Sequence, residues 1–133
     1  MGGLAAPRRL AAAPAKANRF ALRVARAITG RPKVLVFNGC YHGTVDDIFV
    51  TIDDGKTVNR SGLLGQVTDL SQVATAVEFN DINAVEAALK TGEIAAILTE
   101  PVMTNSCMVL PDPGFHKALR HLARQYGAVL IID

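Results

Sequence analysis

The sequence predicts an α/β fold on a mainly parallel sheet, and three observations carry that expectation. Three short runs, at 33–38, 94–98 and 128–132, are apolar at almost every position, as strands buried on both faces must be. Between them lie segments whose apolar residues recur at helical spacing. Gly, Pro and Asp punctuate the joints. Strands alternating with helices need crossover connections, and these favour parallel pairing.

The elements follow in order. Residues 1–15 are rich in Ala, Pro and Arg, show no stable period, and carry Pro7 and Pro14, which oppose a helix. An irregular N-terminus is therefore expected over 1–15 and a single domain over 16–133. From Lys16, the residues Phe20, Val24, Ala27 and Ile28 recur at helical spacing, with Gly30 and Pro32 as stop signals. Lys33 opens the first buried strand. Gly39 to Leu70 reads mostly as loop, rich in Gly, Asp and Thr, and so long a loop in a small domain is usually functional or mobile. Ala76–Asn80 is a short strand. Asp81 caps a helix whose Ile82, Val85 and Leu89 face the core, and Gly92 ends it. After the strand at 94–98, Asp112 is placed as N-cap and Pro113 as first helical residue. Phe115, Leu119, Leu122 and Tyr126 form that helix's apolar stripe, with Gly127 as its C-terminal cap. A third buried strand ends in Asp133. No internal repeat is present.

Composition narrows the class. The chain has 133 residues, half of them hydrophobic, enough for one core and too few for two. No apolar run approaches the roughly 18 residues a membrane span needs. Pro7, Arg8 and Arg9 interrupt any secretory apolar core, and position 6 lacks the hydroxyl of a myristoylation signal. Cys40 and Cys107 are the only cysteines and form no metal or redox motif. The chain reads as soluble and cytoplasmic, with reduced thiols and no membrane partner. Eight basic residues precede the first acidic one, Asp46, while the remainder carries six basic and twelve acidic residues. No nucleic-acid reading motif or aromatic interleaving accompanies that basic segment, so a solvated helix face is expected in preference to a nucleic-acid surface.

Chemistry gathers at the strand ends. In parallel α/β sheets, ligands bind outside the carboxyl ends of the strands. Those ends carry Asn38-Gly39-Cys40-Tyr41-His42-Gly43, then Thr99-Glu100-Pro101-Val102-Met103-Thr104-Asn105, then Asp133. Taken singly, Glu100 can cap a turn, His42 can satisfy a loop, and Asp133 can cap a helix. Three polar ends on one rim make a site the better reading. A strand-end carboxylate can hold a cationic ring nitrogen or a metal. An aromatic flanked by glycines, such as Tyr41, can lie flat on a planar group. His116 and His121 are five apart and do not share a helix face, and no H-E-x-x-H occurs, so no metal site is expected. No G-x-G-x-x-G follows a strand and no G-x-S-x-G elbow exists. What remains is a planar cofactor with a pyridinium-type nitrogen.

At these residues the sequence resembles the class III pyridoxal-phosphate-dependent aminotransferases, in the branch that contains glutamate-1-semialdehyde aminomutase. Four segments match in order and spacing: Ala17 to Ala27, Asn38 to Gly43, Glu100 to Asn105, and Leu130 to Asp133. The resemblance implies the large domain of the fold type I transferases over 16–133. It implies amino-group transfer between a small-molecule amino donor and a keto acceptor, pyridoxal 5'-phosphate as cofactor, and a homodimer. It places Tyr41 against the cofactor ring, with His42 in the same segment. It also places Asn105 near the phenolic oxygen, Glu100 in support of that loop, and Asp133 on the pyridine nitrogen.

Two departures accompany the match. The family's Ser-Gly-Thr-like phosphate cup reads Ala13-Pro14-Ala15-Lys16, with no hydroxyl and one amide fewer. The family's Schiff-base lysine lies downstream of the Asp. None of Lys16, Lys33, Lys56, Lys90 and Lys117 stands at a strand's carboxyl end. The expectation is an incomplete piece of the enzyme, cut before that lysine and inactive in transamination. A non-catalytic remnant that binds cofactor or a partner is the competing reading, and a nucleotide-binding α/β module has no phosphate loop to support it.

Overall fold

The structure, a computed structural model, describes residues 14–133. Most of the segment expected to be irregular lies outside the described residues. Its last residues do not: helix α1 runs Pro14–Thr29. Pro14 opens the helix instead of breaking it, because the first-turn amide it lacks would have no intrahelical partner there.

Four strands form one parallel sheet in the order β4–β1–β5–β6: Lys33–Phe37 (β1), Ala74–Val77 (β4), Ile94–Thr99 (β5) and Val129–Ile132 (β6). Helix α2, Ile82–Lys90, joins β4 to β5, and α3, Phe115–Tyr126, joins β5 to β6. The two central strands carry the core. Val34 to Phe37 and all of Ile94 to Thr99 are buried, and each large aliphatic side chain so placed contributes about 1.5–3 kcal/mol. Phe37 meets Phe115 at 5.6 Å and Phe79 at 5.3 Å between ring centroids, edge to face. This aromatic contact pins α3 to β1. Strand β6 is an edge strand and only half-buried, so the expectation of a third fully buried strand does not hold.

The long loop is only partly a loop. Val50–Asp53 (β2) and Lys56–Asn59 (β3) make an antiparallel hairpin. Asp54 and Gly55 turn it with φ +46° and +72°, the left-handed pair that a tight two-residue turn requires. The Thr57 hydroxyl accepts the Ala76 amide at 3.0 Å, so the hairpin covers the β4 edge of the sheet. Strand β4 itself starts two residues and ends three residues earlier than expected. Glu78 to Asn80 turn toward α2, with Asn80 left-handed at φ +70°.

Helix α2 forms as expected: Asp81 accepts from the Ala84 amide at 2.9 Å, and Val85 and Leu89 are buried. Helix α3 starts later than expected. Pro113 restricts Asp112 to extended backbone, and Gly114 takes φ +83°, so Asp112-Pro113-Gly114 is a turn and Phe115 opens the helix. Phe115, Leu119 and Leu122 are buried and Gly127 closes the helix at φ +68°; Tyr126 is half-buried.

The apolar stripe expected on α1 is on the wrong face. Phe20, Val24 and Ile28 are 61%, 57% and 70% exposed. The face that docks on β5 is set by Leu22, Ala25 and, unexpectedly, Asn18. Phe20, Val24 and Ile28 instead border an apolar groove of about 760 Å³ against Val129, Ile131 and Ile132 of β6.

Candidate cofactor-ring site

Strands β1, β5 and β6 are neighbours and point the same way, so their carboxyl ends share one rim. A cavity of about 610 Å³ opens there, and Tyr41, His42, Glu100, Asn105 and Asp133 all line it. The structure therefore brings together all five residues expected at a site. Ala15, Gly43, Thr44 and Thr104 line it as well.

Contacts between the loops at the rim position Tyr41, His42, Glu100 and Asp133. Leaving β1, the chain turns at Gly39 (φ +80°), and the Cys40 amide donates to the Phe37 carbonyl at 3.0 Å. An added Cβ at Gly39 would strike the Ser106 hydroxyl, which donates to the Gly39 carbonyl at 2.9 Å. The loops after β1 and β5 are thus in direct contact. Glu100 ties them again: its buried carboxylate accepts the Thr104 amide at 3.0 Å and the Tyr41 amide at a longer 3.4 Å. Both of its oxygens are spent on backbone donors, which suits a loop support. Tyr41, half exposed, presents its side chain to the cavity over that frame.

Arg60, at the end of the hairpin, braces the same loop from behind. Its guanidinium donates to the carbonyls of Cys40 and Val50 and lies 6.0 Å from the Phe49 ring centroid. Burial pushes the Cys40 thiol up to about 11, against a smaller opposing pull from Arg60, which keeps it a neutral core group.

The most ordered part of the site is the group around Asp133. The Asp133 amide donates to the Thr99 carbonyl at 2.9 Å, which fixes the backbone. His42, whose side chain has no exposed surface, donates from Nδ1 to Asp133 Oδ2 at 2.8 Å. Asn18, buried on α1, donates from Nδ2 to the same oxygen at 3.1 Å. His42 Nε2 is buried without a hydrogen-bond partner among the described residues. The Asp133 side chain keeps 25% of its surface exposed. No lysine or arginine lines the cavity among the described residues, and the Asp133 carboxylate on its wall favours a cationic N–H.

These residues fit the ring of a pyridine cofactor: an aromatic face from Tyr41, an acceptor for a protonated ring nitrogen from Asp133, and a polar side chain in Asn105. The phosphate end fits less well. The first turn of α1 borders the cavity through Ala15, and free amides there favour an anion. Pro14 supplies no amide and residues 14–17 supply no hydroxyl. Lys33 pairs with Glu93 at the opposite end of β1, at 3.0 Å, and Lys90 lies 3.6 Å from Glu86.

Comparison with known proteins bears on the family and the fold. The family model for class-III aminotransferases matches residues 8–133. Glutamate-1-semialdehyde 2,1-aminomutase of Roseiflexus castenholzii is 45% identical over 116 residues, 85% of this chain and 27% of that protein. The crystal structure of a glutamate-1-semialdehyde aminomutase from Pseudomonas aeruginosa superposes with a TM-score of 0.87 at 48% identity, covering 91% of this chain and 27% of that one. A variant of that enzyme in complex with PMP gives 0.87 at 49% identity, over 90% and 27%. The fold is that of the pyridoxal-phosphate-dependent transferases, a parallel sheet with flanking helices. Within that class, the chain belongs to the class III aminotransferase family. It spans about a quarter of the length of the curated relatives it matches.

Proposed function

We infer that this chain supplies the ring-binding part of a pyridoxal-phosphate site in a class III enzyme that moves amino groups, of the glutamate-1-semialdehyde aminomutase type. The single observation that carries this reading is the convergence of Tyr41, Asn105 and a doubly held Asp133 on one cavity. Support for the aminomutase branch comes from the relatives that match at 45–49% identity.

Bound there, pyridoxal phosphate supplies an electron sink for bonds breaking at the Cα of an amino substrate. The chain's own residues do the rest. Asp133 would accept a hydrogen bond from the protonated ring nitrogen and so favour its protonated form, which preserves the sink. Tyr41 covers one ring face and keeps water from it. Asn105 binds the phenolic oxygen. Glu100 holds Tyr41 and the loop of Asn105 in register, and His42 keeps the Asp133 carboxylate from rotating. A small-molecule amino donor, a keto acceptor, a second subunit and a cytoplasmic setting complete the proposal. No helix among the described residues is long and apolar enough to cross a membrane.

A second reading, a binder without turnover, is supported by the cavity lining, which holds no lysine among the described residues. Titration of the purified chain with pyridoxal phosphate, followed by absorbance and fluorescence, separates the two. Micromolar binding with no covalent adduct after borohydride, weakened tenfold or more by Asp133→Ala, is the expected result. Turnover of an amino donor by the chain alone, lost in Asp133→Ala, would overturn the binding-only reading. No binding of any cofactor form would overturn both.

A further inference from the structure

Asn18 was not among the residues the sequence placed at the site, yet it joins three of its parts. One side-chain nitrogen, Nδ2, donates to the His42 carbonyl at 3.3 Å and to Asp133 Oδ2 at 3.1 Å. An amide nitrogen has two hydrogens, so Asn18 spends both. The residue is 4% exposed, and its bond to the His42 carbonyl is buried while that to Asp133 is partly so. Its partners are 24 and 115 residues away in sequence. One side chain on α1 therefore locks the segment that carries Tyr41 to the end of β6.

The carboxylate follows from the count of donors. His42 Nδ1 and Asn18 Nδ2 both reach Oδ2, and Oδ1 has no donor among the described residues. With Oδ2 doubly occupied, the carboxylate cannot rotate without breaking two partly buried bonds. Oδ1 is thus the oxygen left without a donor, on a residue that lines the cavity.

We propose that Asn18 is a positioning residue for the ring nitrogen: it holds Asp133 with Oδ1 free for an N–H donor and sets the Tyr41–His42 backbone at the matching height. This rests on the pyridoxal-phosphate reading above and extends it to a residue that does not line the same cavity. Asn18 acts through Asp133 and not on the cofactor itself. A purely structural Asn18 would affect every ligand alike, whereas a positioning Asn18 affects those that offer a ring N–H.

The test compares pyridoxal phosphate with its 1-deaza analogue, which has carbon in place of the ring nitrogen. In the wild-type chain, pyridoxal phosphate is expected to bind at least roughly tenfold more tightly, the order of a charge-assisted hydrogen bond. Asn18→Leu, close in volume and without donors, is expected to bring that ratio close to one. Asn18→Thr, with one donor, is expected to retain part of it. Side-chain amide NMR of the wild-type chain gives a readout that needs no variant. The Asn18 Nδ2 resonances should shift on adding pyridoxal phosphate and stay in place with the analogue.

A wild-type preference that survives Asn18→Leu undiminished overturns the proposal while leaving the cofactor reading intact. So does an Asn18 resonance that responds equally to both ligands. Equal affinities in the wild type overturn the ring-nitrogen reading and the proposal with it.

Discussion

Gly43→Ala is the most informative single change, because two separate costs meet at that position. Gly43 sits at φ +78°, and an added Cβ would lie 2.7 Å from the Ala15 Cβ and 3.2 Å from its Cα. Carbon pairs pack near 3.5–4.0 Å, so the two segments must separate. The neighbour is a helix, which cannot yield cheaply. Left-handed backbone costs a residue with a Cβ about 1–2 kcal/mol, and overpacking costs about 1–3 kcal/mol. Together they predict a loss of about 2–5 kcal/mol, large against the ~5–15 kcal/mol of a typical domain. Urea denaturation of the full chain measures it, and Ala15→Gly supplies the control. Removing the Ala15 methyl relieves the 2.7 Å contact but neither the 3.2 Å contact with the Ala15 Cα nor the φ strain, so the double variant should recover about 1–2 kcal/mol as coupling. A Gly43→Ala cost below ~0.5 kcal/mol would refute the close approach of the Tyr-His-Gly segment to α1, as would strict additivity of the two changes.

Three further outcomes follow from the site's frame and the two thiols. Glu100→Ala should cost about 2–4 kcal/mol in the same assay, because two loop amides lose their acceptor in a buried setting; Glu100→Gln, which keeps one acceptor, should fall between. Cys40 gives a pH dependence. Its thiol is raised from the ordinary 9.0 to about 11 by burial, so the unfolded chain loses that proton first. Stability from this group is whole below pH 9 and declines as pH rises from about 9 to 11, by about 2–3 kcal/mol at most. Exposed Cys107 should react with a thiol reagent at pH 8, and buried Cys40 only on unfolding; equal rates for both would contradict the burial.

How much of this was legible in the sequence depended on how local the cause was. The strands at 33–37 and 94–99 announce themselves because central parallel strands need apolar residues on both faces. Asp81 and Gly127 announce helix ends through chemistry confined to one turn. The rim residues could be found because a strand's carboxyl end is readable once the strand is. The hairpin was missed although Asp54-Gly55, flanked by Val50, Ile52 and Val58, is a strong turn signal; loop composition around it masked the pattern.

The failures on α1 and β6 have different roots. Both possible faces of α1 are apolar at helical spacing, and which one docks is decided by tertiary packing. The clue lay in Asn18, which shares a stripe with Leu22 and Ala25. A buried amide is tolerated only with partners, and those partners are remote in sequence. Strand β6 has the composition of a central strand but pairs only with β5 among the described residues, a matter of topology that composition does not encode.

The span of the contacts around Asp133 has a kinetic side. The bonds that shape the carboxylate close loops of 91 and 115 residues. No local piece of chain can form such a pocket ahead of the rest, because the closure entropy is recovered only when the intervening sheet is in place. The pocket should then be the last feature to appear on folding and the first to vanish on global opening. A molecule held in it stabilises the whole chain by mass action, so occupancy at this rim reports complete folding and not the order of a single loop.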